Sequence, residues 1–128
     1  MEALIDSHAF IWWMLNDPQL SIVAKDFIEN PDNSIYLSTA SVWEIAIKAK
    51  SGKYSDIDNV LGKLQTELGL LGMKSMAIEM KHALKTYELP ERHKDPFDRI
   101  LIAQSLVEKM PLITSDSLIA QYEVETIW

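Results

Sequence analysis

The order of apolar and polar positions along the chain predicts short strands separated by helices. Residues 2–5, EALI, form a brief apolar run closed by Asp6 and predict a first strand. HAFIWWML at 8–15 predicts a helix that stops near Asn16-Asp17-Pro18. A second helix is expected over 21–28, ended by Asn30-Pro31-Asp32-Asn33, and SIYLS at 34–38 has the composition of a short strand. Over 39–51, Val42, Trp43, Ala46 and Ala49 recur at helical spacing, with Gly52 as the stop. A helix over 56–68 would carry Ile57, Val60, Leu61, Leu64 and Leu68 on one stripe. Residues 69–73 predict a short strand between glycines, and 75–87 a helix with Ile78, Ala83 and Leu84 inward. The strongest helix opens at Asp95-Pro96, with Asp95 as N-cap, Pro96 as first helical residue and Phe97, Ile100, Leu101, Ala103 and Leu106 as apolar surface. LITSD after Pro111 and VETIW at the end predict two more strands. Strands of three to five residues alternating with helices indicate an α/β layer fold with a mostly parallel sheet.

In such a sheet, ligands bind beyond the carboxyl ends of the strands. Asp6 follows Ala3-Leu4-Ile5, and Asp116 follows Leu112-Ile113-Thr114. Glu44 falls in the first turns of the helix after the second strand, and Asp98 in the first turn of the helix begun at Asp95. These four carboxylates therefore point to one rim. Each also has a structural reading. Glu44 follows Ser41 by three and Asp98 follows Asp95 by three, both capping-box spacings, while Asp6 and Asp116 stand where helix caps belong. Four acids together fit a divalent metal better than four separate caps, because crowded carboxylates repel unless a cation offsets them. Hard oxygen donors favour magnesium or manganese. The matching chemistry is phosphodiester hydrolysis, with metal-activated water as nucleophile. Ser7, Thr114 and Ser115 stand beside the acids as hydrogen-bonding partners for carboxylate, water or phosphate. Arg99 has two readings, a phosphate contact or an ion pair.

Composition narrows this picture. The 128 residues suit one domain, residues 1–128, with a real core; 48% are hydrophobic and 24% charged. Cysteine is absent, which excludes disulfides, thiolate chemistry and cysteine zinc sites and agrees with an intracellular protein. No basic segment precedes the first apolar run and no run is long enough to span a membrane, so neither a signal peptide nor a membrane anchor is expected. Lys and Arg total 12 against 19 Asp and Glu, a net charge of −7. That balance disfavours broad charge-driven binding to nucleic acid, yet suits a metal site or a cationic partner. Phe10, Trp12 and Trp13 are expected to pack in a core or a dimer interface rather than stack on bases. Met73, Met76 and Met80 have helical spacing and read as core or as partner-facing surface.

LIDSHAFIW, STASVWEIAIKAKSGK, HKDPFDRILIAQS and LITSD together resemble PIN-domain proteins, and specifically the VapC-like toxins of toxin–antitoxin pairs, over essentially the whole chain. The resemblance implies a three-layer α/β/α sandwich and a cytoplasmic, magnesium- or manganese-dependent endoribonuclease with one or two ions per site. It implies cleavage of transfer or ribosomal RNA to 5'-phosphate and 3'-hydroxyl ends, inhibition of translation, a cognate antitoxin and a homodimer. Asp6, Glu44 and Asp98 match its three core acids, Asp116 the fourth, and Thr114 the hydroxyl residue two before it. His93 and Asp95 match branch-specific extras: Asp95 a cap or a supporting group, His93 an RNA contact or a loop closure. The rival from another class is a non-enzymatic interaction or regulatory domain whose acids are caps. A receiver-type phosphoacceptor fits poorly, since Ser7 and His8 follow Asp6, and a dinucleotide-binding domain lacks its glycine-rich loop.

Overall fold

The computed structural model describes residues 1–52, 57 and 61–128. Its elements are β1 (Glu2–Ile5), α1 (Ser7–Met14), α2 (Ile22–Glu29), β2 (Ser34–Ser38), α3 (Thr39–Lys50), α4 (Leu64–Leu70), β3 (Lys74–Met76), α5 (Met80–Glu88), α6 (Pro96–Glu108), β4 (Leu112–Ile113) and β5 (Thr126–Ile127), with a 3₁₀ turn at Ile119–Gln121. The five strands form one parallel sheet in the order β3-β2-β1-β4-β5. β1 lies at its centre, with Ile5 in register with Leu37 on one side and Ile113 on the other.

A central parallel strand is covered on both faces, so its side chains are apolar in both directions. Ala3 and Ile5 join a core with Phe10, Ala24, Leu37, Ile45 and Leu64, whereas Leu4 points to a second core with Leu101, Ile102, Leu112 and Ile119. The two cores lie on opposite faces, one contributed by α1 to α4 and the other by α6, which gives the expected three layers. Among the described residues no helix is long and apolar enough to cross a membrane.

Local chemistry starts the helices where the sequence places them. Asp6, Ser21, Ser38 and Asp95 each accept a backbone N–H at an N-terminus, and Pro96 follows Asp95. Ser38 caps α3, so Ser41 sits within the helix, its hydroxyl buried without a hydrogen-bond partner among the described residues. The capping-box reading of Ser41 and Glu44 is thereby ruled out.

Several expectations need correction. The helix over 56–68 begins outside the described residues, as does Val60; its described part continues through Gly69, with Leu64 and Leu68 buried as the stripe requires. Gly72 ends it in the left-handed region (φ 72°), its neighbour Met73 donating its N–H to Leu68. The strand therefore lies at 74–76, where pairing with β2 puts Ser75 beside Leu37, and the next helix starts only at Met80. In that helix Ala83 and Leu84 face out, Ile78 before it is exposed, and the buried residue is His82. His82 receives the Glu79 N–H on Nδ1 and lies 2.8 Å from Glu108 through Nε2, which ties α5 to α6. Met73, Met76 and Met80 consequently share no helical face: Met73 is buried, Met76 half-buried and Met80 exposed. In α3, Trp43 and Ala46 also face outward. Phe10 is in the core, with Trp12 and Trp13 packed against it, and Trp12 meets Trp128 at 5.9 Å.

Candidate active site

The chain reverses its direction of travel across the sheet at β1, and the crevice between the ends of β1 and β4 is where parallel sheets bind ligands. Asp6 leaves β1 there, its N–H donating to Ile113 at 3.1 Å. It caps α1 through Oδ1, which accepts the Ala9 N–H at 2.7 Å. The Thr114 hydroxyl bonds the Asp6 carboxylate and accepts the Asp116 N–H at 3.0 Å. Asp116 accepts the Leu118 N–H on Oδ1 and leaves Oδ2 for His93. Ser115, between Thr114 and Asp116, is exposed.

Glu44 enters from α3 and is only 3% exposed. Ser7 donates to its Oε1 at 2.6 Å, and Lys48, one turn along the helix, reaches its Oε2 at 2.8 Å. Burying a carboxylate requires such partners.

The fourth wall comes from the loop before α6. Asp95 caps the helix, accepting the N–H groups of Phe97 and Asp98. The Asp98 carboxylate turns away from that cap and lies 3.1 Å from His93 Nε2, which is also 3.1 Å from Asp116. His93 Nδ1 accepts the Asp95 N–H at 3.2 Å. That bond leaves the proton on Nε2, so the imidazole donates to both carboxylates and is not free to ligate through that atom.

These contacts connect the four acids electrostatically. Asp98 is pushed from 3.8 up to about 7, first by burial and then by the charge of Asp95, with Glu44 and Asp116 adding to the rise and His93 opposing it. Burial likewise raises Asp6, against the lowering bonds from Thr114 and Ala9 and the opposite charge of His8; Asp116 adds to the rise. The cluster is thus short of positive charge.

Arg99 stands apart from it. Its guanidinium donates to the carbonyls of Thr86, Leu89, Pro90 and His93 and to the Tyr122 hydroxyl, binding the loop that carries His93. Glu91 is 4.0 Å away at the surface.

Sequence reasoning missed two supporting residues. Lys48 carried a signal, since it follows Glu44 by one helical turn. Tyr122 carried none: its hydroxyl accepts the N–H groups of Arg92 and His93 and donates to Pro90, across about thirty positions. Tyr122→Phe is expected to cost about 1–3 kcal/mol by stranding these buried groups. A thermal melt within experimental error of wild type would refute this role.

A second acidic group, Glu79, His82 and Glu108, also has metal-like spacing. There Lys81 already supplies a cation, 3.1 Å from Glu108. Its chemistry is that of a clasp between helices.

A family model described as PIN domain matches residues 3–125. The chain belongs to the PIN-domain family. Solved structures similar to this PIN domain include VapBC2 from Rickettsia felis bound to a DNA fragment from their promoter, at 15% identity and TM-score 0.69, covering 100% of both chains. VapBC-1 from nontypeable Haemophilus influenzae is similar at 17% identity and TM-score 0.70, covering 98% of this chain and 96% of that one. At these identities the likeness is one of fold. No curated protein matches this PIN domain in sequence.

Proposed function

We propose that this PIN domain is a VapC-like toxin, a divalent-metal-dependent endoribonuclease that cuts RNA to 5'-phosphate and 3'-hydroxyl ends. The observation that carries the reading is the convergence of Asp6, Glu44, Asp98 and Asp116 beyond β1 and β4, with burial and mutual repulsion lifting Asp98 to about 7. Four hard oxygen donors short of positive charge suit magnesium or manganese. Asp6, Asp98 and Asp116 would hold one or two ions, with Glu44 completing the donor set. A bound ion would supply Lewis acidity, lowering the pKa of the attacking water and offsetting charge on the phosphate.

The chain's own residues set the donors in place. Ser7 and Lys48 fix both oxygens of Glu44, Thr114 holds Asp6 against Asp116, and His93 bridges Asp98 and Asp116. The assignment to RNA, as transfer or ribosomal RNA, rests on the family resemblance. So do the cytoplasmic location, the homodimer and the inhibition of translation. A cognate antitoxin is further supported by the VapBC assemblies that share the fold.

Asp6 does cap, as a non-enzymatic domain would require, whereas Asp116 closes a turn onto the Leu118 N–H and caps no helix. Glu44 does not cap either, and a buried acid at that position is what the enzymatic reading explains. The test is end-resolved mapping of total RNA incubated with purified, antitoxin-free protein and magnesium or manganese. New 5'-phosphate ends at a few sites, absent when a chelator is added, are expected. Folded protein that gives no such ends and binds no manganese would establish the capping reading instead.

A further inference from the structure

We infer that Trp43 is a stacking platform for an unpaired RNA base next to the scissile phosphate, an inference that rests on the nuclease reading above. Trp43 immediately precedes Glu44 in α3, yet the acid is 3% exposed and the indole 62%. Phe97 immediately precedes Asp98 in α6 and meets Trp43 in a T-shaped contact, with centroids 5.3 Å apart and planes at 82°. Each ring is thus one residue from a carboxylate of the site. The Phe97 contact braces the indole while most of its surface stays in water. An aromatic plane held rigid and exposed loses little conformational freedom when a base is laid on it.

The space beside the indole suits such a base. Trp43 walls an open groove of about 580 Å³ between α3 and α4, with Val42, Leu64, Leu68 and Met73 as apolar lining and Gln65 and Ser75 as polar members. A nucleobase has the same division, with apolar faces and hydrogen-bonding edges.

Charge decides between stacking and phosphate contacts as the source of affinity. The chain carries −7 overall, and the basic residues one turn from Glu44 and next to Asp98 in sequence are already engaged, Lys48 by Glu44 and Arg99 by backbone carbonyls, which leaves the exposed Lys94 in the His93 loop. Binding that draws on lysine and arginine contacts to phosphate is therefore poorly supplied here. Stacking on an aromatic ring needs no such charge and tolerates an acidic surface. A protein partner that covered the same ring is told apart from RNA by the probes below.

The test uses fluorescence anisotropy with the cleavage-blocked Asp98→Asn protein and two fluorescein-labelled probes, oligo(A) and an abasic ribose-phosphate oligomer of equal length. The parent is expected to prefer oligo(A) by about 10-fold or more. Trp43→Ala should lose that preference, Trp43→Phe should keep most of it, and binding should depend only weakly on NaCl. Since the ring is exposed, both variants should melt with the parent. In the cleaving protein, Trp43→Ala should raise KM for RNA while manganese affinity stays unchanged. A Trp43→Ala protein that keeps the preference for oligo(A) overturns the inference, even if it has lost affinity for a protein partner. Wild-type protein that cuts no RNA removes the nuclease reading and this inference together, whereas wild type that cuts, beside an unchanged Trp43→Ala preference, removes stacking alone.

Discussion

Asp98→Asn should lower RNA cleavage by at least about 10²-fold and, in the same protein without metal, raise the melting temperature at pH 8. The two effects share one cause. In the folded chain the Asp98 carboxyl titrates at about 7, lifted from 3.8 by burial and by Asp95, with Glu44 and Asp116 adding to it. Between those two values the folded state holds a proton that the unfolded state has released. Stability therefore falls as pH rises from about 4 to 7, and the full cost is present above that. A shift of this size sets a ceiling of about 4 kcal/mol. Redistribution of charge among Glu44, Asp116 and His93 leaves an expected gain of about 1–2 kcal/mol for the amide, some 3–8 °C in Tm. Asn matches the carboxylate in volume and can still accept from His93, so packing is preserved. Melting curves of wild type and variant at pH 5 and pH 8, with chelator present, are the measurement. A gain seen at pH 5 but not at pH 8 would reverse the sign and refute the electrostatic account.

Arg99→Ala is expected to be the most damaging single substitution to the fold, at about 3–5 kcal/mol. Only 14% of the Arg99 side chain is exposed, and its two terminal nitrogens serve four carbonyls and a hydroxyl. Against a total stability of about 5–15 kcal/mol, such a loss would leave little of the folded state at elevated temperature. Arg99→Lys should recover less than half, because an ammonium cannot span the fork that reaches Thr86 and His93 at once. Urea titration gives the answer directly. A phosphate-binding arginine would behave in the opposite way, raising KM for RNA and leaving the unfolding midpoint where it was.

The legibility of this molecule varied with the range of the forces involved. The α6 start was readable because Asp95 and Pro96 act on their immediate neighbours. The central strands were readable because burial on both faces demands unbroken apolar runs. The region after Gly69 misled for the same reason in reverse. KSM and the residues following it have weak local preference, and what makes 74–76 a strand is the neighbouring edge of β2. The α5 face was misassigned because its single buried residue, His82, is polar and is held by Glu108 from another helix.

The same distinction applies to the candidate site. Asp6, Asp98 and Asp116 stand where strand and helix ends would place acids, and spacing exposed them. Spacing also offered Ser41 as a cap for α3, whereas Ser38 performs that role and leaves Glu44 free to turn inward. The bridging position of His93 could not be read from HKDPFDR alone. It depends on a loop pinned by Arg99 and Tyr122, whose partners are distant in sequence.

The strand order also fixes when the site comes into being. β1 is made first and lies in the middle of the sheet, but Asp6 gains its Thr114 and Asp116 neighbours only after β4 has slotted in beside it. A chain still emerging from the ribosome, with β1 to β3 assembled, holds Asp6 and Glu44 but neither of the acids that His93 joins. The site is therefore completed by β4 and not by the strands that precede it. The carboxylate cluster, and any activity it carries, waits on the pairing of β1 with β4.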